Sequence, residues 1–199
     1  MSDRSQRPFL GTELFGGFWL GTLTAAAFSY VTFGNRILSP QSGEFECVVL
    51  GTLAAAMLAL VSRGRLVEAV VLIPAYAWLR LAFAPGGNWR IAISALLLAA
   101  GAFLVALIFE QLAQHGVRFG KFLVTGPLLG GVCLAVAPLS QFDVLSAYDS
   151  FDPLMLQLFI GIVIGDGAAL GVELADLLFR VRRRVAAASP AVDEKPCPR

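Results

Sequence analysis

The sequence predicts an all-α membrane protein, a single bundle of six transmembrane helices with the N-terminus and the C-terminus both cytoplasmic. Of its 199 residues, 57% are hydrophobic and only 15% are charged, and the mean hydropathy is +0.76. A soluble domain of this length is more polar and carries more charge. The apolar residues fall in six long runs, each near the about 20 residues that a helix needs to cross a bilayer. Because the runs are continuous rather than alternating, they exclude membrane-spanning strands.

The predicted organisation is a cytoplasmic N-terminal segment (1–9), one transmembrane domain (10–180), and a tail (181–199) that is basic and then disordered. Small polar turns separate the spans, and Pro74 and Gly126–Pro127 predict kinks inside two of them. The spans are predicted at residues 10–33, 46–62, 66–84, 91–109, 120–139 and 154–179.

The lysines and arginines test this number of spans. With six spans, twelve of the fifteen basic residues fall on the side that holds both termini, and only Arg36, Arg80 and Arg90 fall on the other. Basic residues are enriched in cytoplasmic loops, so the bias predicts a multi-pass protein of the inner (cytoplasmic) membrane. The last predicted outer loop contains Asp143, Asp149 and Asp152 and no basic residue, which agrees with this orientation.

The last apolar run carries three acids, Asp166, Glu173 and Asp176, before a cluster of arginines. A carboxylate near the bilayer midplane costs roughly 2.5 to 3.5 kcal/mol on insertion scales, so Asp166 is the leading candidate for a functional residue. Seven residues place Glu173 on nearly the same helix face. The acids therefore predict a path for a cation or a proton. The alternative is that Glu173 and Asp176 are solvated at the interface or pair with Arg180 and its neighbours.

Three further charged residues are candidates at the ends of other spans. Glu13 is added to the predicted ion path, and Glu68 and Arg80, together with Asp176, are secondary candidates. Glu68 and Glu13 also lie in first helical turns, where a carboxylate stabilises the helix dipole without any further role. Arg80 either extends toward the outer surface or serves as a counter-ion for an acid.

Small residues recur at a spacing of four along the last span. Such rows let helices approach closely, so this helix is predicted to be central, and the same rows are candidate contacts with a membrane-protein partner or a second copy of the chain. The glycines concerned are Gly161, Gly165, Gly167 and Gly171.

Several classes of function are disfavoured. Three cysteines without metal spacing and a single histidine, His115, predict no metal and no other cofactor, and no nucleic-acid or phosphate-binding motif occurs. Tyr148–Asp149 and Gly165–Asp166 resemble the YD and GxGD motifs of intramembrane aspartyl proteases, although Val163 replaces the first glycine of the second motif. Because so few polar residues converge, the sequence predicts a protein that is not an enzyme.

The leading functional hypothesis is a transporter or channel-like protein for a small solute or ion, or the membrane-embedded binding subunit of one. In size and helix count the chain is similar to the small substrate-binding subunits of energy-coupling vitamin transporters. The alternative is a membrane subunit that does not transport but assembles with or regulates another membrane protein. A membrane-embedded enzyme acting on lipid or peptide is the third possibility.

Overall fold

The computed structural model describes residues 8–33, 44–83, 89–117, 120–139 and 153–188. Within these residues the chain forms six α-helices and no strand, which confirms the all-α prediction. The helices are α1 (Pro8–Phe33), α2 (Glu44–Val61), α3 (Leu66–Phe83), α4 (Trp89–Gln114), α5 (Phe122–Val136) and α6 (Pro153–Ala188). Pro8 and Pro153 occupy first helical positions, where the missing N–H has no intrahelical partner to lose.

Three of these helices are long and apolar enough to cross a membrane, which confirms that the chain has the character of a membrane protein. The candidate spans are Gly11–Thr32, Trp89–Gln114 and Leu154–Arg182. Helices α2 and α5 contain the shorter apolar segments Val48–Val61 and Phe122–Val136. The acidic loop with Asp143, Asp149 and Asp152, the residue Tyr148, the first seven residues and the tail from residue 189 lie outside the described residues.

Two helices extend well beyond the bounds predicted from the sequence. Helix α4 continues to Gln114 rather than ending at 109, and α6 continues to Ala188 rather than ending at 179. The predicted ends were placed where the apolar runs stop. Gln, Leu, Ala and Arg are all good helix formers, however, so the backbone continues as helix after the hydropathy falls. The first eight residues of the predicted tail are therefore helical.

Helix α5 is shorter than predicted, with 15 residues instead of the 20 of segment 120–139. It is preceded by Gly120, whose φ of +87° lies in the left-handed region that favours glycine. At its other end the chain continues in turns to Leu139, where Pro138 contributes no backbone N–H to a further helical turn. Helix α3 and helix α5 both continue through their internal prolines, Pro74 and Pro127.

Helix α6 lies at the centre of the bundle, as the rows of small residues predict. It makes its most extensive contacts with α5 and α1 and a smaller contact with α2. Helix α2 also contacts α1, α3 and α4, and α3 packs mainly on α4. Ile164, Ala168, Ala169 and Val172 of α6 are completely buried. By contrast, α3 exposes large apolar side chains on the outside of the bundle, where lipid would contact them. Examples are Val67, Val71 and Trp78.

The contact between α5 and α6 is built from two pairs of glycines. Gly161 of α6 lies against the backbone of Gly130, and Gly165 lies against the backbone of Gly126. Without side chains at these four positions, the two backbones approach more closely than larger residues would permit.

The contact between α1 and α6 uses the other two glycines of the row. Gly167 lies against Ala25, and Gly171 lies against Leu20 and Thr24. The Thr24 hydroxyl lies 2.5 Å from the carbonyl oxygen of Gly167 and 2.7 Å from that of Leu20, and it can donate its hydrogen to either. All four glycines proposed for contact with a partner are thus engaged within this chain. A partner stays a prediction, and it would have to bind another surface.

Neighbouring glycines in α5 offer a test of this packing. In Gly130→Ala the new methyl group would lie 2.7 Å from the carbonyl oxygen of Leu158 and 2.8 Å from the Ile162 side chain, so α5 must move away from α6. We expect a loss of about 1 to 3 kcal/mol in the free energy of unfolding, measured for the purified protein in detergent.

Gly131→Ala is the matched control, because nothing lies within 4 Å of a methyl group at that position. This substitution should leave stability unchanged or raise it by up to about 1 kcal/mol, since alanine is the better helix former. Equal effects of the two substitutions would contradict the close α5–α6 contact.

Candidate functional site

Charged side chains from four parts of the chain converge at one end of the bundle, which we call the charged end. It comprises the start of α1, the turn between α2 and α3, the start of α5 and the second half of α6. Its central residues are Glu13, Arg63, Lys121, Glu173 and Asp176.

Arg63 connects three of these segments. Its Nη2 lies 2.6 Å from Oδ1 of Asp176, and its Nε lies 3.9 Å from Oε2 of Glu13. The three side chains are only 13%, 16% and 6% exposed, respectively. Gly64, with a φ of +69°, forms the tight turn that holds Arg63 between α2 and α3. Asp176 is therefore paired, as its alternative interpretation expected, but its partner is Arg63 rather than Arg180.

Lys121 is buried at the start of α5, an unusual position for a lysine. Its Nζ lies 3.9 Å from the ring centroid of Phe109 in α4, within the distance of a favourable cation–π contact. Burial is the largest influence on this ammonium group and disfavours its charged form, as does Arg180. The nearby carboxylates of Glu173, Asp176 and Glu110 favour the charged form. Lys121 thus places a basic group in the interior of the charged end, near these carboxylates.

Glu173 lies on α6 and faces the start of α5. Its Oε2 accepts a hydrogen bond of 3.2 Å from the backbone N–H of Gly120. A carboxylate at this position satisfies a backbone donor at the helix N-terminus and interacts favourably with the helix dipole. Its other oxygen, Oε1, is buried and has no hydrogen-bond partner within the described residues, and the residue is only 4% exposed.

Asp166 lies two residues from residue 168, the middle of the candidate span Leu154–Arg182. Its carboxylate packs against Gly126 of α5, where any side chain would overlap it, and the backbone N–H of Gly126 lies close to the carboxylate group. The residue is partly exposed, but its Oδ1 is buried and has no hydrogen-bond partner among the residues described. Asp166 and Glu173 therefore both face α5, and each has one buried oxygen without a partner there.

The remaining predicted residues lie apart from this arrangement. Glu68 is exposed and pairs with Arg65, whose Nη2 lies 2.7 Å from Oε1 of the carboxylate. Arg80 lies in the last turn of α3, the opposite end of that helix from Glu68. In the part of the chain that the structure describes, no three His, Cys, Asp or Glu residues are placed to hold a metal ion.

Sequence reasoning missed three residues of the site. From the sequence alone, Arg63 and Lys121 indicate only the orientation in the membrane, and Gly126 indicates only a kink. The acids near the end of the last span do indicate a partner such as Arg63, because a buried carboxylate requires a nearby base. The sequence holds no comparable signal for the contact of Lys121 with Phe109.

Comparison with known proteins adds no further assignment. No family model, no curated protein and no solved structure matches this chain.

Two arginines separated by one glycine allow a test of the charged end. Arg63→Gln removes the base from a buried group of acids, and we expect it to lower the free energy of unfolding by about 3 kcal/mol. Arg65→Gln breaks an exposed pair of similar length and should cost less than about 1 kcal/mol.

Unfolding in detergent measures both variants, and a double-mutant cycle with Asp176→Asn isolates the pairwise contribution. Equal costs for Arg63→Gln and Arg65→Gln, or additive effects of the Arg63 and Asp176 substitutions, would contradict the buried pairing.

Proposed function

We propose that this protein is a six-span protein of the cytoplasmic membrane, with both termini cytoplasmic, and that it transports or binds a small cation along the α5–α6 interface. A proton is the simplest such cation. One observation carries the proposal: Asp166 and Glu173 face the same neighbouring helix, and each holds a buried carboxylate oxygen without a hydrogen-bond partner in the described part of the chain.

The chemistry of these two groups favours a cation. A buried carboxylate oxygen without a donor is unfavourable, and a bound proton or cation relieves that cost. Along the helix axis the two residues are about 10 Å apart, so one carboxylate lies near the middle of the bilayer and the other near its inner surface. In its protonated form, Lys121 stabilises the ionised carboxylate of Glu173 when no cation is bound.

The second candidate function is a membrane subunit that does not transport. It is favoured by the partial exposure of Asp166, which leaves this carboxylate accessible to a basic side chain of a partner protein. In that case α6 would bind a partner protein rather than form one side of a cation path.

Asp166→Asn separates the two functions. In proteoliposomes under an imposed membrane potential, we expect the wild-type protein to acidify the lumen, detected with an enclosed pH-sensitive dye. In the Asn variant the rate should fall to that of protein-free vesicles, because a side-chain amide cannot take up and release a proton near neutral pH. Glu68→Gln is the control and should retain the full rate, since Glu68 is exposed and paired with Arg65.

Full proton flux in the Asp166→Asn variant would overturn the proton path. If the wild-type protein gives no flux of protons, sodium or potassium, and the Asn variant loses a protein that co-purifies from native membranes, the subunit function is supported instead.

The proposed orientation is tested with Cys197 near the C-terminus. In a Cys47→Ser/Cys133→Ala background, this thiol should react with a membrane-impermeant maleimide only in inverted vesicles or after permeabilisation. Reaction in intact cells would place the C-terminus outside and would exclude the proposed arrangement of six spans.

A further inference from the structure

The last described turns of α6 carry three exposed arginines, Arg180, Arg182 and Arg184. Within the described residues none of the three takes part in a hydrogen bond or an ion pair. By contrast, Arg63 and Arg65 each form an ion pair with a carboxylate. Asp176, the nearest acid on the same helix, is already paired with Arg63.

The same turns expose three large apolar side chains. Leu177, Leu178 and Val181 are 51%, 59% and 51% exposed. At 100° per residue they occupy an arc of about 100° on the helix surface. Arg180 and Arg184 lie on one side of this arc, and Arg182 lies on the other. The end of α6 therefore has an apolar stripe with guanidinium groups along both of its edges.

The position of this stripe along α6 indicates which part of the membrane surrounds it. The candidate membrane span ends at Arg182, and a bilayer fitted to this span would have its boundary between hydrocarbon and headgroups near the arginines. An apolar stripe at that depth contacts acyl chains, and long basic side chains extend from it to the phosphates. The planar guanidinium can donate two parallel hydrogen bonds to one phosphate group.

From this arrangement we infer that the C-terminal turns of α6 form a binding surface for anionic phospholipids, with Arg180, Arg182 and Arg184 holding the headgroup. The inference goes beyond the proposed function and holds whether or not the protein transports a cation. Charge complementarity selects the occupant. Three guanidinium groups without carboxylate partners among the described residues attract an anionic headgroup more strongly than a zwitterionic one.

Native mass spectrometry of the purified full-length protein tests the inference. The protein is mixed with equal amounts of phosphatidylglycerol and phosphatidylcholine of identical acyl chains, and the retained lipids are counted. We expect the wild-type protein to retain phosphatidylglycerol at least about tenfold more than phosphatidylcholine. The R180Q/R182Q/R184Q variant should bind phosphatidylglycerol on the order of 100-fold more weakly.

Two further variants separate local binding from general charge and from misfolding. R4Q/R7Q/R199Q removes the same number of positive charges elsewhere in the sequence and should retain the lipid preference within about twofold. R180K/R182K/R184K preserves the charge, and it should bind phosphatidylglycerol several-fold more weakly, because an ammonium lacks the paired donors of a guanidinium.

Equal retention of the two lipids by the wild-type protein would overturn the inference. An equal loss of binding in R4Q/R7Q/R199Q would also overturn it, since the effect would then come from net charge. If inorganic phosphate at millimolar concentration displaces phosphatidylglycerol, the surface binds a soluble anion rather than a lipid. Should the glutamine variant fail to fold, identical binding by the lysine variant and the wild-type protein would contradict the guanidinium contact.

Discussion

The close approach of α6 to α1 and α5 is the constraint on which the rest of the structure depends. Lipid tails are as apolar as the side chains they surround, so helices in a bilayer associate through close packing rather than through the hydrophobic effect. The glycines at both interfaces of α6 allow this packing. Because the α5 interface is so close, the backbone of Gly126 contacts Asp166 and the start of α5 contacts Glu173. The close packing of α5 on α6 therefore also positions the two candidate carboxylates, Asp166 and Glu173.

The charged end balances most, but not all, of its charge. Glu13, Glu173 and Asp176 contribute three negative charges when ionised, and Arg63 and Lys121 contribute two positive charges, which leaves an excess of one negative charge among these five residues. Arg63 is committed to Asp176 and Glu13, and Lys121 rests over Phe109. Glu173 is thus the acid with an oxygen available for a ligand.

Hydropathy and helical periodicity predicted the features that depend on residues close in sequence. They predicted the apolar helices, the central position of α6 and the common face of Asp166 and Glu173. They did not predict that Asp176 pairs with Arg63 or that Lys121 is buried, because both depend on how separate helices pack. Helices α4 and α6 continue past the predicted spans for another reason: Gln111–Gln114 and Arg180–Ala188 are less apolar than the spans, yet most of their residues have high helix propensity.

The difference in burial between Asp166 and Glu173 bears on the two candidate functions. A basic side chain of a partner could reach Asp166, which is partly exposed, but not Glu173, which is 4% exposed and enclosed by α5. The unpartnered Oδ1 of Asp166 is itself buried, so a docking site leaves both unpartnered carboxylate oxygens without a ligand. A proton is small enough to reach both. Since the same kind of ligand then serves both acids along one helix interface, the cation path accounts for more of the structure than docking does.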